Sequence, residues 1–178
     1  MSKVILSIAS TIDGYIAREN GSVDFLDRFN DTGEDYGIGK LLNTVSAIVM
    51  GNTTFQQYSD HEQFFAMYEG RELFIFSRNS GIDRTSKHHD KVTFVHDDPA
   101  TFLQNLPTEK DIWLLGGSEL ITSFLEKGLI DEFVITMIPT FIGHGIPLFT
   151  STNSESQLEF VKAETFNSGV VNLHYKKK

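Results

Sequence analysis

Two stretches of this chain end an apolar run on glycine and continue in small polar residues: Val49-Met-Gly-Asn-Thr-Thr-Phe55 and Leu114-Leu-Gly-Gly-Ser-Glu-Leu120. Each reads as a strand that passes through a glycine turn straight into a helix. Glycine permits a sharp turn and the close approach of a ligand, and the first turn of a helix offers unpaired N–H groups with partial positive charge. Two such junctions on parallel strands suit a pyrophosphate. The same glycines also ease turns in any α/β protein, and neither junction carries the full G-x-G-x-x-G pattern, so both readings stand. Ser77-Arg78 closes a third apolar run, Leu73–Phe76, where the forked guanidinium of Arg78 matches phosphate oxygens. An isolated Arg there is equally a solvated turn residue, but all three features fall at strand C-termini, where open α/β sheets bind ligands.

The acid–base candidates are Asp13, Asp24, Glu34 and Asp35. Asp35 lies near the start of a predicted helix, Glu34–Thr44, on a face able to turn toward the sheet. There a carboxyl group whose pKa was raised by its pocket would donate a proton to a substrate nitrogen. Glu34 and Asp35 also suit a helix start simply through the helix dipole. His61 and the pair His88-His89 lie in polar stretches without partners at metal-ligand spacing, and read as surface residues. Trp113, inside a strand, reads as core.

The elements that must position these residues alternate. Strands are predicted at Val4–Ala9, Val45–Met50, Leu73–Phe76, Val92–Val95, Asp111–Leu115 and Leu129–Ile138. Helices are predicted after Asn52 or Thr53, from Asp98-Pro99 to Leu106, and from Ser118 to about Lys127, with Thr32 as a candidate cap of the Glu34–Thr44 helix. Ser10–Asp24, with Asp13-Gly14 and Asn20-Gly21, reads as a long loop carrying Ile16-Ala17. Gln157–Phe166 and Val170–Lys176 close the chain as an antiparallel hairpin. The pattern predicts an α/β fold with a mostly parallel sheet and an antiparallel C-terminal edge.

The 178 residues match the size of one domain, and 24 acidic against 15 basic residues give a formal charge of −9. Such a surface repels nucleic-acid phosphates and anionic membranes. With no cysteine there is no disulfide, thiolate nucleophile, zinc ribbon or iron–sulfur cluster. No apolar run approaches a membrane span and the N-terminal one is too short for a signal peptide, so a cytoplasmic protein is expected.

Taken in order, the motifs resemble the dihydrofolate reductase-like superfamily, and within it the C-terminal reductase domain of riboflavin-biosynthesis deaminase-reductases. Ser7-Ile-Ala-Ser-Thr-Ile-Asp-Gly-Tyr-Ile-Ala17 looks like that branch's first strand and active-site loop. Met50-Gly-Asn-Thr-Thr-Phe55 is similar to the cofactor turn M-G-R-x-T-[WFY], and Phe76-Ser-Arg78 to the strand end that holds the ribose phosphate. Gly116-Gly117 matches the I-G-G turn with its cis peptide, and Ile138-Pro-Thr-Phe-Ile-Gly-His-Gly-Ile-Pro-Leu-Phe149 the stretch I-P-x-x-x-G-x-G-x-P-L-F.

The resemblance implies a three-layer α/β/α domain over residues 1–178, an NADPH-dependent oxidoreductase that pairs as a homodimer, with the apolar strand around Phe133–Ile138 as a candidate pairing element. It places Ala9, Ile16 and Ala17 against the nicotinamide. It assigns Gly51, Asn52, Thr53 and Thr54 to the phosphates from one helix and Gly116, Gly117, Ser118, Glu119 and Leu120 from the other, with Ser77 and Arg78 at the adenosine end. A gapless count back from Gly51 puts the catalytic carboxylate of folate reductases on Asp35, with Thr136 as its companion. Arg71 falls where folate reductases grip a glutamate tail. Asn52 stands where the family's turn has Arg, which leaves Arg78 to select NADPH over NADH, and Asp24 lies where folate reductases have Trp. The absence of Cys implies a reductase domain without an attached zinc deaminase. The substrate implied is a small heterocycle, either of the 5-amino-6-(5-phosphoribosylamino)uracil type or of the dihydrofolate type. The alternative is an NADP-binding protein of the same fold without turnover.

Overall fold

Successive side chains of the strand Val45–Gly51 are buried on both faces: Ala47 and Val49 on one, Ile48 and Met50 on the other, all at 0% exposure. A strand covered on both faces belongs inside a sheet with helices on either side. The computed structural model describes residues 2–61, 63–81, 88, 90–106, 110–152 and 154–178. Its elements run β1 (Val4–Thr11), β2 (Tyr15–Ala17), a 3-10 turn (Asp24–Leu26), α1 (Asp27–Asn30), α2 (Ile38–Leu42), β3 (Val45–Gly51), α3 (Asn52–Tyr58), α4 (Gln63–Met67), β4 (Glu72–Phe76), β5 (Thr93–Val95), α5 (Pro99–Asn105), β6 (Asp111–Gly116), α6 (Ser118–Glu126), β7 (Glu132–Ile138), β8 (Ile146–Pro147), β9 (Leu158–Thr165) and β10 (Val171–Lys177).

The main sheet has eight strands in the order β5-β4-β3-β6-β1-β7-β10-β9. The first six are parallel, and β10 and β9 add an antiparallel edge. One face packs Ala47, Val49, Leu6 and Leu114 against Phe102 of α5 and Ile121 and Phe124 of α6. The other packs Ile48, Met50 and Trp113 against Phe55 of α3 and Phe64 of α4. Trp113 is core, 5% exposed, with its indole N–H donated to the Ser7 carbonyl at 2.8 Å. A third cluster, Phe25, Phe29, Ile138 and Val170, covers the end of the sheet near the hairpin. The predicted α/β class and antiparallel edge are therefore what the chain adopts.

Several local expectations change. The helix expected over Glu34–Thr44 is confined to α2, because Tyr36 (φ 51°) and Gly37 (φ 83°) adopt left-handed backbone that a helix cannot incorporate. Thr32 does not cap it; its hydroxyl bonds to the Phe29 carbonyl and the Tyr36 hydroxyl. The loop expected over Ser10–Asp24 contains the tail of β1 and all of β2, and β2 pairs with β8 across about 130 residues of sequence, which no local pattern reveals. A methyl on Gly145 would overlap the Ala17 carbonyl, so the approach of these two short strands requires glycine there. The strand Phe133–Ile138 is internal to the sheet: β7 lies between β1 and β10 with both edges hydrogen-bonded, so it offers no free edge to a second copy. The strands that end the sheet are β5 on one side and the largely exposed β9 on the other.

Candidate functional site

In sequence order the chain leaves β1, crosses past the position of β6 to build β3, β4 and β5, and then returns to lay β6 between β3 and β1. The C-terminal ends of β3 and β6 thus meet where the winding reverses, the place at which open sheets leave a crevice. Both glycine junctions of the sequence sit there. Gly51 precedes α3 and Gly117 precedes α6, each in extended conformation, and neither helix start has a side-chain cap. The first amides of both helices are therefore free for a ligand. The two turns also face each other: a methyl built on Gly51 would lie 3.8 Å from the Gly117 nitrogen and 3.9 Å from the Gly116 oxygen. One built on Gly117 would lie 3.3 Å from the Thr54 hydroxyl. The Gly116-Gly117 peptide is cis.

The remaining residues matched to cofactor binding divide by what they touch. Ser118 is buried, and its hydroxyl donates to the Pro147 carbonyl, which ties α6 to β8 and leaves its backbone facing the crevice. Leu120 packs into the core. Glu119 pairs with Arg78 at 2.9 Å, both largely exposed. Because β4 and β6 flank β3, this ion pair runs across the end of β3. Ser77 holds its own turn, accepting the Asn79 amide at 3.1 Å. Asn52 opens α3 with its side-chain oxygen Oδ1 buried and without a partner among the described residues. Ile16 packs on the core, Ala17 is buried, and Ala9 lies beside Thr136 on β7.

Loop geometry fixes the segment that carries Ile16 and Ala17. The Asp13 carboxylate accepts the Thr11 hydroxyl and the amides of Ile142 (3.1 Å) and Gly143 (2.7 Å), latching the loop after β1 to the segment before β8. Burial pushes the Asp13 carboxyl up, but these hydrogen bonds outweigh it and hold it below its ordinary value. Arg18 chelates Asp24 through two nitrogens, at 2.5 and 2.9 Å, and this pairing likewise holds Asp24 low. Glu34 is held low by Ser168 and the amides of Asn167 and Ser168, which it accepts at 2.8 and 3.2 Å. Three of the four acid–base candidates are thus kept ionised as structural anchors.

Asp35 is placed just before α2, exposed, with one oxygen accepting the Gly37 amide (3.0 Å) and the other the Gly39 amide (3.2 Å). A proton-transfer role requires one of these bonds to be exchanged for substrate or water. Thr136 is buried in the middle of β7, between Ala9 of β1 and Asn172 of β10. The Asn172 side-chain amide donates to the Tyr36 carbonyl at 2.7 Å, so the Asp35–Tyr36 segment is pinned to the same row of the sheet as Thr136, while the Asn172 side-chain oxygen Oδ1 is buried without a partner among the described residues. The backbone pattern gave no sign of Asn172, which faces inward in a strand otherwise read as an exposed edge.

A cleft of about 790 Å³ opens between the 19–27 loop and α3, bounded also by Ile146 of β8. It reaches Thr53 of the first cofactor turn at one end and His61 at the other. The Gln57 amide donates to the Gly21 carbonyl and draws the loop onto α3. Burial raises the Tyr58 phenol above its ordinary value, so it stays protonated as a donor. Gln56, Gln57 and Tyr58 were missed from the sequence, although the polar spacing of Thr53, Gln56 and Gln57 marks a face of α3 turned away from the core. His61 is exposed as expected; His88 instead packs against the Phe65 ring and lies 3.4 Å from Asp60, and His89 lies outside the described residues. Among the described residues no cluster of metal-binding side chains occurs, and no helix is long and apolar enough to cross a membrane.

Comparison with known proteins gives the same frame. The family model of the RibD C-terminal domain matches residues 2–172. The uncharacterized protein YwjB of Bacillus subtilis (strain 168) is 35% identical over 175 residues, covering 97% of each chain. A solved structure from Shewanella sp. PV-4, provisionally described as a riboflavin biosynthesis protein, is 28% identical, covers 100% of this chain and 99% of its own, and superposes with a TM-score of 0.87. A deaminase/5-amino-6-(5-phosphoribosylamino)uracil reductase from Thermotoga maritima shares the fold at 17% identity and TM-score 0.71; the match covers 99% of this chain and 57% of that one. Dihydrofolate reductase has the same fold.

Proposed function

The chain belongs to the RibD C-terminal domain family, and on that premise we propose that it is an NADPH-dependent reductase of a small amino-substituted heterocycle. The observation that carries this reading is the pair of glycine turns at β3 and β6, which face each other beneath two uncapped helix starts. The residues present fit a dinucleotide. The turns leave room where any side chain would intrude, and the buried Asn52 oxygen lacks a donor that a bound ligand would supply. Gly51 to Thr54 and Gly117 to Leu120 would hold the phosphates through backbone amides, and Arg78 the adenosine end. Ile16 and Ala17, fixed by the Asp13 latch and the β2–β8 pairing, would bound the nicotinamide side. When bound, the cofactor supplies hydride.

The chain's own residues supply position and protons. The cleft beside Thr53 receives the heterocycle, with Tyr58 as a neutral donor and Gln56 and Gln57 as amide partners. Asp35 does not line this cleft, so its proton reaches the heterocycle through water, which the exposure of its carboxylate permits. The discriminating experiment is steady-state oxidation of NADPH with an aminopyrimidine ribosyl substrate and, separately, with dihydrofolate. Turnover of the aminopyrimidine that falls in an Asp35→Asn variant supports the reading. Tight NADPH binding without turnover on either compound identifies a dinucleotide-binding protein instead.

A further inference from the structure

Electrostatics of the cleft sort the substrates that the fold family leaves open. Its charged lining is acidic: Glu19, Asp24 and Asp27 face it, and among the described residues neither Lys nor Arg lines it. The nearest guanidinium in sequence, Arg18, is chelated by Asp24, so that pair brings no net positive charge to the opening. The other arginines among the described residues are spent elsewhere. Arg71, at the position matched to the folate-tail residue, gives its Nε and one terminal nitrogen to the Leu42 carbonyl and the other to the Glu69 carbonyl. Arg28 donates to the Pro139 carbonyl and the Thr140 hydroxyl. Arg78 stands with Glu119 at the far side of β3.

Phosphate and carboxylate groups are ordinarily received by a forked guanidinium, a lysine or a row of free amides. This cleft offers amides, hydroxyls and carboxylates of side chains, with the His61 imidazole at its end away from Thr53, a set that suits N–H and O–H donors. We infer that the substrate reduced here carries no anionic group: it is a neutral or cationic amino-heterocycle bearing hydroxyls, neither a sugar phosphate nor a compound with a glutamate tail. The inference rests on the reductase reading for the location of the substrate, and narrows it. A phosphate near the Glu19 and Asp27 carboxylates is repelled, whereas ring amines and sugar hydroxyls find acceptors in these two groups and in the Gln56 and Gln57 side-chain carbonyls.

The test is a binding titration of the full chain, NADP⁺-loaded and unliganded, with a ribosylaminopyrimidine and its 5′-phosphate, compounds that differ only in the anionic group. The unphosphorylated member should bind at least about tenfold tighter at low salt. The gap should shrink at about 1 M salt, where the Debye length is about 3 Å, and also in the double variant E19Q/D27N. Equal or tighter binding of the phosphate, or binding of neither compound, overturns the inference. If the cleft discriminates in the titration but a parallel assay of the preferred compound with NADPH shows no oxidation, the preference for an uncharged ligand holds and the reductase reading fails, so the two failures are distinct.

Discussion

Gly51 separates the cofactor reading from mere turn-making. Its backbone (φ −76°, ψ 152°) is open to any residue, and a methyl there meets nothing closer than 3.8 Å. Gly51→Ala should therefore fold normally, and the loss of chain entropy in the unfolded state should add about 0.4–1 kcal/mol of stability. That methyl nevertheless points toward the Gly116-Gly117 turn, across the gap in which a pyrophosphate would lie between the two helix starts. Displacing the phosphates from one backbone amide forfeits a hydrogen bond to a charged group, about 1.5–3 kcal/mol, which corresponds to a roughly 10- to 150-fold rise in Kd. Nucleotide fluorescence titration and urea denaturation of the same sample give both quantities. Gly116→Ala is the contrast. At φ +127° and with Ile8 Cδ1 at 3.2 Å, a methyl there should destabilise the fold itself by about 1–3 kcal/mol. If Gly51→Ala binds NADPH within about twofold of the wild type, no dinucleotide lies between these turns and the reasoning fails.

Arg78→Ala should weaken NADPH roughly tenfold and leave NADH little changed, and Glu119→Gln, which frees Arg78, should tighten NADPH; parallel loss for both nucleotides in Arg78→Ala would remove the 2′-phosphate role. Arg71→Leu should cost roughly 2 kcal/mol of stability in denaturant melts, because the Leu42 and Glu69 carbonyls lose their donors; a raised KM for dihydrofolate with unchanged stability would restore a substrate role. Burial pushes the Glu132 carboxyl up, but hydrogen bonds from Lys3 (2.7 Å) and His174 (2.8 Å) outweigh it and hold it below its ordinary value. A carboxyl lowered on folding adds stability above its unfolded pKa and loses it as pH falls through the folded value. Glu132→Gln should thus cost roughly 1 kcal/mol at neutral pH and flatten the stability profile below about pH 4.5. Lys3, raised by the same partner, loses its contribution only as pH climbs past its ordinary alkaline range.

Local chemistry made much of this protein legible. Apolar runs ending on glycine announce strands covered on both faces, and β3 and β6 are such strands. Asp98-Pro99 announces a helix start, and Asp98 accepts the Ala100 amide, with the Thr101 hydroxyl as first cause of a carboxyl held at about 2. The two glycine junctions, Arg78 and the mostly parallel sheet follow from residues within a few positions of one another. What sequence could not settle depends on groups far apart in the chain. Asp35 reads as a helix-start carboxylate until the left-handed Tyr36-Gly37 step shortens the helix and turns both its oxygens to backbone amides. Arg71 matches a ligand-gripping position until the fold delivers the Leu42 carbonyl to its fork. The strand Phe133–Ile138 looks free until β10 returns to cover it. Sequence determined where the two glycine junctions of the proposed dinucleotide site lie, because turn chemistry is local. Only the tertiary structure decided what faces it, because the charge of a cleft is the sum of side chains brought together from the 19–27 loop, α3 and β8.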